Sequence, residues 1–267
     1  MENRPIICFD FDGTLVDPKG RIRPRDIEIL TGERRALFIP ATARLLHSVR
    51  AVFERNGLFV DRPIPFPLHL QNGATLYGPD EKLVRAYPFP EDVQREMIEV
   101  LERHRDVTFL LYTVNEVYVL WPTEKMLEAA RGFDLNTQPF TEKSREEAFT
   151  KVAGIAETSE PVRALAEEIA QLPLELSYSS PTALEINKQG VNKGKGLVDL
   201  LEILEVDHTE LVVAGDGDND LPLFDHATAS FAPHSSPKKV QSRADYVIDV
   251  DEVGIFTPIL RVLGLEN

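Results

Sequence analysis

The chain has 267 residues, 44 of them acidic and 29 basic, for a formal net charge of −15. Its 43% apolar and 27% charged residues can fill a core and cover it, which excludes a mostly disordered chain. The acidic balance excludes nucleic acid as the main partner, because a phosphate backbone demands concentrated positive charge; a small phosphorylated ligand stays open, since a local site can oppose the global sign. The length allows one large domain or two smaller ones. A single cysteine, Cys8, excludes a disulfide framework or a multi-cysteine metal cluster. The apolar run at the N-terminus is too short for a signal peptide, and no stretch nears the ~18–20 apolar residues that cross a bilayer. The expectation is a cytoplasmic protein with no membrane partner.

Taken in chain order, residues 5–11 (PIICFDF) predict a buried strand, cut off by Asp12-Gly13-Thr14. Residues 36–40 (ALFIP) predict a second. A helix is expected over 43–55, where Leu45, Leu46, Val49, Val52 and Phe53 share a face, and Asn56-Gly57 ends it. Residues 68–77 predict another strand around Asn72-Gly73. The middle differs: two-sided strand patterns over 107–112 and 116–121 alternate with helical patterns over 91–105, 143–156 and 161–171. Such strands suit a sheet with one solvated face. A helix is expected from 192 to 205, a buried strand over 210–215 (ELVVAG) and a last strand over 246–249. Alternating strands and helices point to an α/β fold with parallel strands. The layout is a Rossmann-like core of residues 1–81 and 188–267, interrupted by an inserted α+β domain over 82–187.

Two acidic segments carry the chemistry. Asp10-Phe11-Asp12-Gly13-Thr14-Leu15 follows the first strand, and ligands of open α/β sheets bind at such carboxyl ends. Two carboxylates this close can divide labour between nucleophile or metal ligand and proton donor. Gly13 lets the backbone approach a ligand, and Thr14 offers a hydroxyl; a plain capped turn is the bland alternative. Gly215-Asp216-Gly217-Asp218-Asn219-Asp220 follows a second buried strand. It is no calcium loop, since Leu221 and Ala227 stand where glycine and a bidentate glutamate are needed. With Asp10, Asp216 and Asp220 can complete an oxygen-rich site for Mg²⁺. Thr42 with Arg44 can bind an anion at a helix start, or Thr42 can be a simple N-cap. Asn192-Lys193-Gly194-Lys195-Gly196 places a lysine at a glycine-rich helix start, without P-loop spacing. Lys195 reads as a surface residue.

Other features carry less. The histidines at 47, 69, 104, 208, 226 and 234 show no metal-ligand spacing, which argues against zinc. The basic residues at 19, 21, 23, 25, 34 and 35 read as a solvated loop, and Cys8 as a small core residue.

In order, these segments resemble the four motifs of the haloacid dehalogenase (HAD) superfamily. DFDGTL resembles the nucleophile motif, Thr42 the second, Lys193 the third and GDGDND the acidic fourth. The Asn72-Gly73-Ala74 strand, the long insertion and GDGDND followed by LPLF resemble its Cof-like branch, related to sucrose-phosphate and trehalose-phosphate phosphatases. The resemblance implies a three-layer core with a cap, acting on a small phosphoester, a sugar phosphate by preference. It makes Asp10 the nucleophile, forming an aspartyl-phosphate, and Asp12 the acid and base. Thr42 and Lys193, with Asp12 and Gly13, would hold the phosphoryl group. Mg²⁺ would sit on Asp10, the Asp12 carbonyl and Asp216, supported by Asn219, Asp220 and Arg44.

Two departures stand out: Ala43 where the second motif has glycine, and residues 232–236 (APHSS) where relatives carry Gly-Asn-Ala. Rival readings are a phosphomutase of the same superfamily and a non-catalytic sugar-phosphate-binding protein. A monomer or homodimer is expected. Trp121, Tyr118 and Arg85 are candidate cap contacts.

Overall fold

Alternation along the first strand sets the architecture. The computed structural model describes residues 4–207 and 210–266, so His208 lies outside the described residues, and β1 spans Ile6–Phe9. Ile6 and Cys8 enter one apolar cluster, with Leu37, Ile39, Leu197 and Leu200. Ile7 and Phe9 enter another, with Phe38, Val49 and Phe256. Both faces are therefore covered, as a parallel sheet requires.

From β1 the chain runs through α1 (Pro24–Gly32), β2 (Leu37–Pro40) and α2 (Leu46–Arg55) to β3 (Leu68–Leu70), β4 (Thr75–Tyr77) and β5 (Leu83–Ala86). Next come α3 (Glu91–Leu101), β6 (Thr108–Tyr112), β7 (Val117–Leu120), α4 (Glu124–Gly132) and β8 (Thr137–Pro139). They are followed by β9 (Lys151–Ile155), α5 (Ser159–Ile169), β10 (Leu174–Ser180) and β11 (Ala183–Lys188). The chain returns through α6 (Lys193–Ile203), β12 (Leu211–Ala214), α7 (Leu221–Phe224), β13 (Ala229–Pro233) and α8 (Lys238–Gln241). It closes with β14 (Tyr246–Ile248), α9 (Val250–Val253) and α10 (Phe256–Val262).

The core sheet has the order β14-β13-β12-β1-β2, all parallel. The inserted sheet has the order β10-β11-β9-β6-β7-β8 and is antiparallel except at β7–β8. Its two faces differ. Phe109, Leu111, Val152 and Leu184 pack with Met97 of α3 and Leu165 of α5. Leu110, Tyr112 and Ala153 point the other way and meet Leu45, next to α2 in the core. The insertion is an α+β unit whose second face is turned on the core.

Three expectations change. Residues 143–156 are not a helix: a 3-10 turn over Glu142–Glu146 leads into β9, which pairs with both β6 and β11. Gly154 packs there so closely that a Cβ would lie 3.1 Å from the Phe109 ring. Ladder bonds on both sides outweigh local helical preference. The helix expected from residue 43 starts at Leu46, so Thr42 is not its N-cap. The single strand over 68–77 is a hairpin, reversed by Gln71, Asn72 and Gly73 with φ of 53°, 58° and 97°. The strand β5 pairs with β4, so the line between residues 81 and 82 falls inside a hairpin. The expected helices over 91–105, 161–171 and 192–205 form as α3, α5 and α6.

His69 on β3 is fully buried. Burial, with the Lys193 ammonium nearby, pushes its imidazole down from 6.5 to about 3. The unfolded chain therefore binds a proton that the folded protein refuses. Stability falls as pH drops below the unfolded value, by up to about 1.4 kcal/mol per pH unit. We predict that wild-type protein loses more unfolding free energy in urea than His69→Gln between about pH 7.5 and about pH 5. Parallel losses in the two proteins would contradict this account.

Candidate active site

Strand ends of the parallel sheet converge around one ammonium group. Asp10 follows β1, and its N–H donates to the Ala214 carbonyl at 2.8 Å. Lys193 opens α6, where the Asn192 side chain caps the helix by accepting from the Lys195 N–H at 3.0 Å. Lys193 Nζ donates to Asp10 Oδ1 at 2.5 Å and to Asp220 Oδ1 at 2.6 Å. Asp10, Lys193 and Asp220 are 6%, 1% and 0% exposed. Burial opposes the lysine's charge, but Asp10 and Asp220 outweigh it and raise its pKa. Burial holds the Asp10 carboxyl well above the usual carboxylate range, partly countered by Lys193. Gly194, next to Lys193, serves packing: a Cβ there would lie 2.3 Å from the Pro222 carbonyl oxygen.

The acidic loop after β12 divides its carboxylates between two tasks. Asp220 Oδ2 accepts from the N–H groups of Asp216 and Gly217, at 3.0 and 2.9 Å. With Oδ1 on Lys193, both of its oxygens are engaged, so Asp220 shapes the loop. Asp216 accepts a long bond from Thr14 Oγ, 3.4 Å. Burial and the Asp220 charge push its carboxyl up to about 6. Carboxylate oxygens of Asp10, Asp216 and Asp220 lie within 4.8 Å of one another. Three carboxylates thus share one ammonium, and the all-oxygen donor set fits a hard divalent cation on Asp10 and Asp216. Gly13 passes directly over this point with φ +88°; a Cβ there would sit 2.3 Å from Asp216 Oδ2.

Asp12 faces the other side. Arg44 grips it in a fork, Nε to Oδ2 and Nη2 to Oδ1, each 2.7 Å. The guanidinium also lies 4.9 Å from the Phe133 ring of the inserted unit, and Ser48 Oγ donates to the Phe133 carbonyl at 2.6 Å. Thr42 is 1% exposed; its Oγ accepts from the Arg44 N–H at 3.2 Å, and its N–H donates to the His69 carbonyl at 2.9 Å. Asp10, Asp12, Thr42, Arg44, Asp216 and Asn219 line one cavity of about 410 Å³ between the two sheets.

Other expected residues take different places. Gly13 donates its N–H to the Val16 carbonyl at 3.0 Å, so that group is not offered to a phosphate. Thr14 is turned to Asp216 rather than to an anion. Asn219 Nδ2 is 3.4 Å from Asn72 Oδ1. Lys195 is paired with Asp199 at the surface. Trp121, Tyr118 and Arg85 do not line the cavity; Trp121 Nε1 donates to the Leu101 carbonyl instead. Around residues 232–236, Gln241 Nε2 donates to the His234 and Ser236 carbonyls, and Lys239 of α8 pairs with Asp218 at 2.7 Å. Lys151, Glu185 and Phe133 line the cavity and were not singled out by the sequence. A lone charge at an inward position of an alternating strand was the available signal for the first two.

A doubly covered parallel sheet with two aspartates after its first strand, and a lysine and an acidic loop beside them, defines a hydrolase of HAD type. The chain belongs to the haloacid dehalogenase-like hydrolases, whose family model matches residues 7–257. It is similar to pyridoxal phosphate phosphatase YbhA of Escherichia coli, 27% identical over 91% of this chain and 92% of the relative. It is also similar to 5-amino-6-(5-phospho-D-ribitylamino)uracil phosphatase YitU of Bacillus subtilis, 24% identical over 96% and 97%. The crystal structure of TM0651 from Thermotoga maritima superposes with a TM-score of 0.79, at 27% identity and 97% coverage of both chains. The protein is an enzyme of this family, a phosphatase of small phosphorylated molecules. No helix among the described residues is long and apolar enough to cross a membrane.

The buried triad has a direct energetic test. Lys193→Met leaves Asp10 and Asp220 facing each other without a cation, at a cost of about 3–5 kcal/mol. Adding Asp220→Asn to that variant removes one of the orphaned charges and recovers part of the loss. Urea unfolding of the single and double variants measures both; an unchanged unfolding free energy in Lys193→Met contradicts the triad's role.

Proposed function

We propose that the protein is a Mg²⁺-dependent phosphomonoesterase that works through an aspartyl-phosphate on Asp10, with residues 82–187 as its cap and the cytoplasm as its location. The observation that carries the reading is the pairing of Asp10 with Lys193 beside Asp216, while Asp12 opens into the same cavity. In this reading Asp10, the Asp12 carbonyl and Asp216 hold the cation. Bound there, Mg²⁺ offsets the negative charge that a phosphate dianion brings towards a carboxylate.

The remaining steps belong to the chain's own groups. Thr42 Oγ and Lys193 Nζ bind non-bridging phosphoryl oxygens and hold phosphorus in line with Asp10. A carboxylate oxygen of Asp10 bonds to phosphorus as the bond to the leaving oxygen breaks. Asp12 gives that oxygen its proton, so a neutral alcohol departs. Asp12, now a carboxylate, takes a proton from water; the water oxygen bonds to phosphorus, and phosphate leaves Asp10 free. Asp12 can act only when Arg44 releases it, and the arriving phosphoryl group is the stronger competitor for that guanidinium. The cap excludes bulk water from the intermediate. The substrate is a small phosphorylated metabolite. A sugar phosphate is the sequence-based expectation, while the two curated relatives are named for a pyridine and for a ribitylated pyrimidine.

Hydrolysis of p-nitrophenyl phosphate tests the mechanism. Activity should need Mg²⁺ and vanish with EDTA, and Asp10→Asn should lower kcat by at least about a thousandfold. Asp12→Asn should still release a burst of p-nitrophenolate, which needs little acid assistance. It should then stall as a covalent phosphoprotein, visible by mass spectrometry. Wild-type turnover in Asp10→Asn would rule the mechanism out.

A further inference from the structure

We propose that Lys151 and Glu185, a buried ion pair in the cavity wall contributed by the insertion, select the leaving group. The class they select is a phosphate ester of a small ring-bearing alcohol, apolar on its faces, with both a hydrogen-bond donor and an acceptor on its edge. The inference rests on the phosphatase reading above.

Strand alternation places the pair. On β9, Val152 faces the helices of the insertion while Lys151 and Ala153 face the cavity; on β11, Leu184 and Ile186 face the helices and Glu185 the cavity. Six charged side chains line that cavity. Four of them, Asp10, Asp12, Arg44 and Asp216, belong to the catalytic end. Lys151 and Glu185 are the two that the insertion supplies, and they are 2% and 7% exposed.

Both groups retain bonding capacity. Lys151 Nζ is 2.6 Å from Glu185 Oε2 and donates to the Ala43 carbonyl at 2.9 Å. The second contact is a hydrogen bond, the first an ion pair without hydrogen-bond geometry, and the ammonium also lies 4.6 Å from the centre of the Tyr112 ring, so its three donors are not all spent. Glu185 Oε1 accepts from Ser179 Oγ at 3.2 Å, which leaves lone pairs on a carboxylate that offers about four sites. A ligand edge carrying one donor and one acceptor matches the pair. Taking two charges out of water is costly, and an apolar pair would hold these strands at least as well. A role in recognition accounts for charges at this position.

The rest of the wall decides the body of the leaving group. Leu110, Met126, Ala130, Phe133, Leu135 and Ile155 offer apolar surface and no polar side-chain atoms. The hydroxyls of Ser48, Thr108, Ser179 and Ser180 in the same wall are engaged within the protein, which leaves Tyr112 to meet the several hydroxyls of a polyol, and each hydroxyl left unpaired costs about 1–3 kcal/mol. A ring buries its faces favourably there. A cavity of about 410 Å³ accommodates a phosphoryl group and a single ring.

Competing esters test the inference. Pyridoxine 5′-phosphate carries the ring and the polar edge, and has no aldehyde to condense with Lys151. The other probes are glucose 6-phosphate, a polyol ester, and p-nitrophenyl phosphate, whose ring lacks a donor. Wild-type kcat/KM should favour pyridoxine 5′-phosphate over glucose 6-phosphate by about tenfold or more. Glu185→Gln should lower the ratio of kcat/KM for pyridoxine 5′-phosphate over p-nitrophenyl phosphate by about tenfold, chiefly through KM. The double variant Lys151→Met/Glu185→Leu, which removes both charges together, should lower that ratio while keeping the wild-type circular-dichroism melt. Preference of the wild type for glucose 6-phosphate overturns the inference alone, as does an equal loss on both ring esters in each variant. Absence of Mg²⁺-dependent p-nitrophenyl phosphate hydrolysis in the wild type overturns the phosphatase mechanism as well.

Discussion

Three carboxylates and one ammonium meet under the edge of the core sheet, and much of the surrounding structure serves to keep them there. A buried charge without a partner is expensive, so each group is pinned from several sides. Asp10 hangs from the hydrogen bonds of β1 to β12, Lys193 from the capped start of α6, and Asp220 from two N–H groups of its own loop. Close packing at Gly13 and Gly194 lets these backbones come near enough. What the protein itself does not balance is Asp216, and that imbalance is the physical reason the site suits a cation.

The second half of the site depends on contact between the two sheets. Arg44 holds Asp12 and at the same time rests on Phe133, while Lys151 reaches from β9 to the Ala43 carbonyl beside it. The loop of residues 42–44 is therefore a junction: on one side it faces the cavity it shares with Asp10 and Asp12, on the other it is gripped by the insertion. The carbonyl that takes that lysine belongs to Ala43, the residue that stands in place of the expected glycine. The position of the insertion and the order of the loop are in this way linked through two side chains.

Legibility in the sequence followed locality. Residues 5–16 and 210–220 combine a short apolar run with an acidic, glycine-containing turn, and each such run became a central strand with its carboxylates at the end. Lys193 was readable from its place at a capped helix start. Residues 143–156 were misread because a strand bonded on both sides can override helical spacing. The hairpin at Gln71–Gly73 was missed for a similar reason: its left-handed turn joins two strands of only three residues. Trp121 and Tyr118 were candidate contacts, yet alternation turns Tyr118 to the helix side, and Trp121, just past the strand with φ 54°, bonds the Leu101 carbonyl there.

Taken alone, the sequence determined the parallel core, the order of its motifs and the residues that cluster at the strand ends, because those depend on short runs and on turns that follow them directly. It also determined the acid excess, whose meaning is local: a few aspartates gather in a cluster that suits a cation, and the remainder is largely solvated surface. Only the tertiary structure decided which insertion residues look into the site. Lys151 and Glu185 lie 34 positions apart in the chain, on strands whose pairing sets which face each side chain takes. A shift of one residue in either strand would have turned the charge into the apolar layer under α3 and α5.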